Sequence, residues 1–421
     1  MRPILPRAIL LLLPCVLALS AACKKPVPLE NVYTGGENPG NGPIGTVDAG
    51  PIANVDAGPT DASFSKSKFL AAMAQCTSDR TVDFARSADA LVGALEAGED
   101  AGAALDARAA WSATFASLQE LEVFAIGPYA HPPALGAQAI RDEIYAWPLV
   151  SRCRIEEQIV ARDYEKASFA GTLVNARGMA AVEFLLFSTD TANACSSFST
   201  INAAGSWAAL GAEELASRRR AYALAAARDL AARARTLRDA WARTSGNYQG
   251  SLATAGAGSS VYTTEALALN AVADALIYVD EYVKDWKLGK PAGFFECTTG
   301  TCPSAVEAPY ARASRSALVA NLAAARRIVQ GCGEGFAGLG VDDWLASVGA
   351  GELGNRLLGT LAAAQESVAA LDGSVDEVLT RDATKVAQAH ANVKAFTALW
   401  KAEVLPALAM QLPTSAQGDN D

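Results

Sequence analysis

The sequence predicts an all-α protein, and three observations carry that prediction. Apolar residues recur at three- and four-residue spacing, at Leu269, Val272, Leu276, Val279 and Val283 and again at Leu353, Leu357 and Leu361, which places each set on one helical face. Alanine is abundant throughout, and it favours both helix and close helix contacts. No sustained period-two segment marks a strand. With 51% hydrophobic and 19% charged residues, the 421-residue chain can bury one large core or two ordinary ones.

Residues 1–22 read as a signal peptide. MRPILPR carries two arginines, residues 8–19 form an apolar run too short to span a bilayer, and LSAAC places small residues before Cys23. This end resembles a bacterial lipoprotein signal, which implies cleavage before Cys23, lipid on its sulfur and a membrane anchor. Lys24 after it fits outer-membrane sorting, facing the periplasm or the cell surface. Residues 23–62 then form a tether: the stretch is rich in Gly, Pro, Asn and Asp, repeats VDAGP at 47–51 and 55–59, and has no apolar periodicity.

Helical segments follow at about 65–98, 102–126, 136–163, 175–187, 211–244, 308–331, 342–371 and 374–406. Another begins after Thr263, Thr264 and Glu265, with Lys284, Lys287, Gly289 and Pro291 as its stop signals. The segment 188–210, which opens with STDTANACSSFSTINAAGSW, sets a soft boundary between a first helical-bundle half at 64–190 and a second at 210–410. Six cysteines remain after Cys15 and Cys23: Cys76, Cys153, Cys195, Cys297, Cys302 and Cys332. In an exported chain these suggest three disulfides, and Cys297 and Cys302 are close enough in sequence to pair locally.

Composition and motif spacing remove several function classes. The net charge is −10 and no basic run interleaved with aromatics occurs, so nucleic acid is not an expected partner. The zinc-peptidase pattern HExxH is absent, as are a Gly-rich phosphate loop and any Ser/His/Asp or Cys/His arrangement that spacing would single out. The only histidines are His131, read as a loop residue, and His390, read as lying on a helix face. Trp111 and Trp147 read as core anchors, and Arg218, Arg219 and Arg220 as a solvated face.

A series of motifs from 64 to 410 resembles the imelysin-like family. AWSATFASLQELEVFAIGP at 110–128 places Glu122, Phe124, Gly127 and Pro128 on the family pattern, and IRDEIYAWPL at 140–149 places Arg141, Trp147 and Pro148. WKLGKPAG at 286–293, VEAPYARASRSALVANLAAARRIVQG at 306–331, GVDDWLASVGAGELGNRL at 340–357 and VKAFTALWKAEVLPAL at 393–408 complete it. The family signature Gly-x-His-x-x-Glu appears as GMAAVE: Gly178 and Glu183 match, and Ala180 stands at the histidine position. The resemblance implies a helical-bundle fold, iron uptake or a metallopeptidase activity, and a site at these motifs.

Glu183, alone in RGMAAVEFLLF, therefore needs a partner, because a buried carboxylate must be paired, hydrogen-bonded, protonated or bound to a cation. One solution is a structural ion pair with Arg141 or Arg177. The other is a ligand pocket containing Glu122, Arg141, Gly178 and Glu183, with Glu122 and Glu183 as carboxylates for a hard cation such as iron. The reading is an envelope lipoprotein that binds a metal or metal chelate. A metal-dependent peptidase and a non-catalytic scaffold for an envelope protein partner are the alternatives.

Overall fold

The computed structural model describes residues 64–98 and 101–413; the expected signal peptide at 1–22, the lipidated Cys23 and the tether to 62 lie outside the described residues. Helix α1 (Lys66–Glu96) starts at Ser65, whose hydroxyl accepts the Lys68 amide at 3.2 Å, an N-cap in the usual sense. It packs against α2 (Ala101–Glu122) and, further along the chain, α6 (Ala212–Trp241). Between α2 and α6 come α3 (Arg152–Ala161), α4 (Gly178–Phe187) and the short α5 (Thr200–Ala203). Helix α6 (Ala212–Trp241) lays Ala223, Ala226, Ala227, Ala231 and Ala234 into the core against α1 and α4. Their small side chains let the helix backbones approach closely. Thus α6, which follows the 188–210 segment, is built into the helices that precede it.

After α7 (Tyr248–Ala253), helix α8 (Glu265–Ala275) begins at Thr264, whose hydroxyl accepts the Leu267 amide. The wider π-helical turns of Val279–Gly289 and the short α9 (Lys290–Ala292) continue it. The remaining helices are α10 (Ser314–Gln330), α11 (Val341–Ser347), α12 (Gly351–Ala369), α13 (Val375–Leu399) and α14 (Leu405–Ala407). Helix α10 packs on both α2 and α12, and α12 packs on α13, so one apolar core runs through the described residues. No strand occurs among them, and no helix is long and apolar enough to cross a membrane.

The expected helix at 136–163 is corrected. Ile140–Glu143 forms a single 3-10 turn and the α-helix is confined to Arg152–Ala161. Ala139 is left-handed and Pro148 lacks the amide that a continuing helix would need. The 342–371 helix is likewise two helices, parted at Gly349 with φ +81°. Lys284 and Lys287 are not helix-end surface residues: in the π-helical segment they are 1% and 2% exposed. The six cysteines pair as Cys76–Cys332, Cys153–Cys195 and Cys297–Cys302.

Candidate functional site

One face of α2 carries Trp111, Phe115, Gln119 and Glu122 at helical spacing, and the two polar residues organise two buried networks. Glu122, 1% exposed, faces Arg141 with Nη2 at 2.9 Å and Nε at 3.2 Å. Tyr129 donates to Oε1 and Tyr278 to Oε2. Burial opposes ionisation of Glu122, but the adjacent Arg141 guanidinium, the Tyr129 hydroxyl and the Lys287 ammonium hold its pKa below the usual carboxylate value. Both of its oxygens are therefore committed.

The second network centres on Lys287. Its Nζ lies 2.5 Å from Gln119 Oε1, 2.8 Å from Asn321 Oδ1 and 2.9 Å from Glu307 Oε2. Burial pulls the lysine pKa down while Glu307 and Glu122 push it back up. Glu307, fully buried, also accepts from Gln119 Nε2 and from the Tyr145 hydroxyl, both at 2.9 Å. Residues Lys287 and Glu307 lie inside the recognised motifs, but their sequence carried no sign of a site: the hydrogen bond from Gln119 to Glu307 spans 188 positions.

Glu183 sits beside a cavity of about 390 Å³, with Ala180 also on its wall. It pairs with neither expected arginine. Arg141 is held by Glu122, and Arg177 by Asp229 at 2.9 Å and by Glu143. Instead Glu183 Oε1 accepts the backbone amides of Tyr310 at 2.8 Å and Ala311 at 3.0 Å. These amides belong to the segment just after Glu307, so the buried Lys287 network anchors the strap that receives Glu183. Gly178 opens α4 at φ +75°, and a Cβ there would stand 2.5 Å from the Ile144 carbonyl oxygen, which accepts the Met179 amide. Glycine is required by that close approach.

Burial raises the Glu183 pKa to about 7; the two amides oppose this rise and Glu307 adds to it. Unfolding returns the group to the usual 4.5, so it releases a proton between the two values and stability falls as pH rises from about 4.5 to about 7. Glu183→Gln keeps the amide acceptor and removes the charge. Denaturant titrations across pH should show the variant gaining about 3 kcal/mol over wild type above pH 7 and almost nothing below pH 4.5. A pH-independent difference would refute the buried, shifted carboxyl.

The other candidates lie elsewhere. Trp111 is fully buried and stacks on Phe115, whereas Trp147 reaches the cavity wall. Arg219, expected on a solvated face, is turned inward onto the Ser188 and Asp190 carbonyls. His131 is exposed, 3.1 Å from Asp142. His390 packs on Phe294, and burial with Lys284 and Lys394 nearby lowers its pKa to about 4.

A bare metal ion does not fit these donors. Glu183 already accepts two amides on one oxygen, Ala180 offers no ligand atom, and Glu122 is saturated by Arg141 and two tyrosines. Hard cations need several oxygen ligands. Among the described residues, the group Cys153, Glu157 and Cys195 has ligand-like spacing, but its two sulfurs form a disulfide. For that reason Glu122 and Glu183 do not combine as a ligand set for one bare ion.

Comparison with known proteins places this arrangement. The structure resembles the crystal structure of an imelysin-like protein from Psychrobacter arcticum 273-4, with TM-score 0.60, 15% identity, and 83% of this chain and 98% of that chain covered. It also resembles that of a protein named as an iron-regulated protein A precursor from Parabacteroides distasonis ATCC 8503, with TM-score 0.62, 14% identity and coverage of 83% and 97%. No curated protein matches the sequence. The family model for imelysin matches residues 70–402, which include both buried networks and the cavity wall at Ala180 and Glu183, and the chain belongs to the imelysin family.

Proposed function

We propose that this imelysin-family protein is a lipid-anchored envelope protein that serves metal acquisition, iron foremost, by binding the metal as an organic complex in the cavity beside Glu183. The single observation that carries this reading is the cavity itself: about 390 Å³, walled by Ala180 where the family signature has histidine, with one carboxyl and mostly apolar side chains around it. A volume of that size suits a small organic ligand, and the donor set suits a complexed ion better than a bare one. The iron-regulated name of the Parabacteroides neighbour supports the link to iron. Glu122 and Arg141 act behind the wall, holding the end of α2 and the 140–148 loop in place.

The test uses the full mature chain, whose N-terminal peptide mass should show an acylated Cys23. Calorimetry with ferrous ion, ferric ion and ferric salicylate should give saturable binding of the complex. Binding should be lost in Ala180→Leu, which fills the cavity, and weakened in Glu183→Gln. If ferric salicylate fails to bind wild type, or binds Ala180→Leu equally well, the reading is wrong.

A further inference from the structure

Resting on that reading, we infer that the cavity selects a planar aromatic acid of one or two fused rings, its acid group answered by Lys290. Five aromatic side chains, Tyr145, Trp147, Phe184, Trp286 and Tyr310, line one space of about 390 Å³. Aromatic walls favour flat partners, because offset stacking and edge contacts add to the apolar burial that a saturated ring would also gain. The volume lies at the small end of ligand pockets and so limits the ligand to a compact ring system.

The charge of the ligand follows from the ionic groups on the wall. Arg152 is committed: its guanidinium meets Glu156 at 2.7 Å, Asp190 at 2.9 Å and the Ala192 carbonyl at 2.6 Å. Glu183 is tied to the strap amides. Lys290 differs. Its Nζ rests 4.0 Å above the centre of the Trp286 ring, its carboxylate neighbour Glu296 is 3.5 Å away and exposed, and its side chain is 24% accessible. A ligand anion could replace that long, solvent-screened pair at small cost. A ligand cation would meet two basic side chains and a single tethered carboxyl. The acid side is therefore favoured, although the protein as a whole is acidic.

Three matched probes separate shape from charge: 2-naphthoate, its neutral analogue 2-naphthamide, and the saturated acid decahydro-2-naphthoate. Each is titrated calorimetrically into the mature full chain and into Lys290→Met and Ala180→Leu. The expected result is saturable binding of 2-naphthoate, with both analogues about tenfold weaker. Lys290→Met, which keeps the aliphatic stem over Trp286, should weaken 2-naphthoate about tenfold and leave 2-naphthamide unchanged.

The inference is overturned if the amide or the saturated acid binds as well as 2-naphthoate, or if Lys290→Met has no effect. If Ala180→Leu abolishes binding while Lys290→Met is silent, the ligand class fails and the cavity reading stands. If Ala180→Leu leaves 2-naphthoate binding intact, both fail. No saturable binding of 2-naphthoate also overturns the inference, and the response of ferric salicylate to Ala180→Leu then decides the cavity reading separately.

Discussion

Lys287→Met is expected to destabilise the protein by about 3–5 kcal/mol, the range for removing one partner of a buried ion pair. The substitution conserves apolar bulk but leaves Glu307, which is fully buried, with its two neutral donors and without the Lys287 ammonium it is paired with. It also removes the donor shared by Gln119 Oε1 and Asn321 Oδ1. The double variant Lys287→Met/Glu307→Met should recover part of the loss, because removing both charges spares the stranded carboxylate. Urea unfolding of the disulfide-intact chain measures both effects. A single-variant loss below about 1 kcal/mol, or a double variant no better than the sum of the singles, would show that this pair is not the anchor of the strap.

Removing the Cys76–Cys332 disulfide should cost more than removing either of the others. It joins α1 to the second residue beyond α10, across 256 positions. Loop-closure entropy assigns about 5.5 kcal/mol to a loop of that length, about 4 kcal/mol to one like Cys153–Cys195 and about 2 kcal/mol to one like Cys297–Cys302. The separations behind those figures are 42 and 5 positions for the two shorter bridges. Paired Cys→Ala variants, unfolded by denaturant, should follow that order. A reversed order would mean that native packing around the bridges, rather than restriction of the unfolded chain, sets their contribution.

The helices were legible where local signals agreed. Thr264 caps α8 as its position before an apolar periodic run implied, and the Ser374 capping box opens α13 inside the expected 374–406 segment. Legibility failed where a local rule met a tertiary demand. The 136–163 stretch has helical composition, but Arg141 is drawn to Glu122, and the chain turns at Ala139 and Pro148 to deliver it. Lys284 and Lys287 look like basic residues closing a helix. The π-helical turns instead carry them inward, Lys284 to Asp280 at 3.0 Å and Lys287 to Glu307 at 2.9 Å.

Glu183 divides the two kinds of information most clearly. Sequence alone determined that the chain is helical, that a lone carboxylate on an apolar helix must find a partner, and that Ala180 stands where the family motif has histidine; that α4 opens at Gly178 rather than at 175 was decided by the structure. Only the tertiary structure decided the partner. It is neither Arg141 nor Arg177 but two backbone amides at positions 310 and 311, presented by a strap that a buried lysine holds through Glu307. Helix periodicity and capping act within a few residues, so one segment of sequence contains them. A backbone amide has no residue type to recognise, and hydrogen bonds across more than a hundred positions, such as Gln119 to Glu307 and the Tyr310 amide to Glu183, form only when helix packing brings their ends into contact.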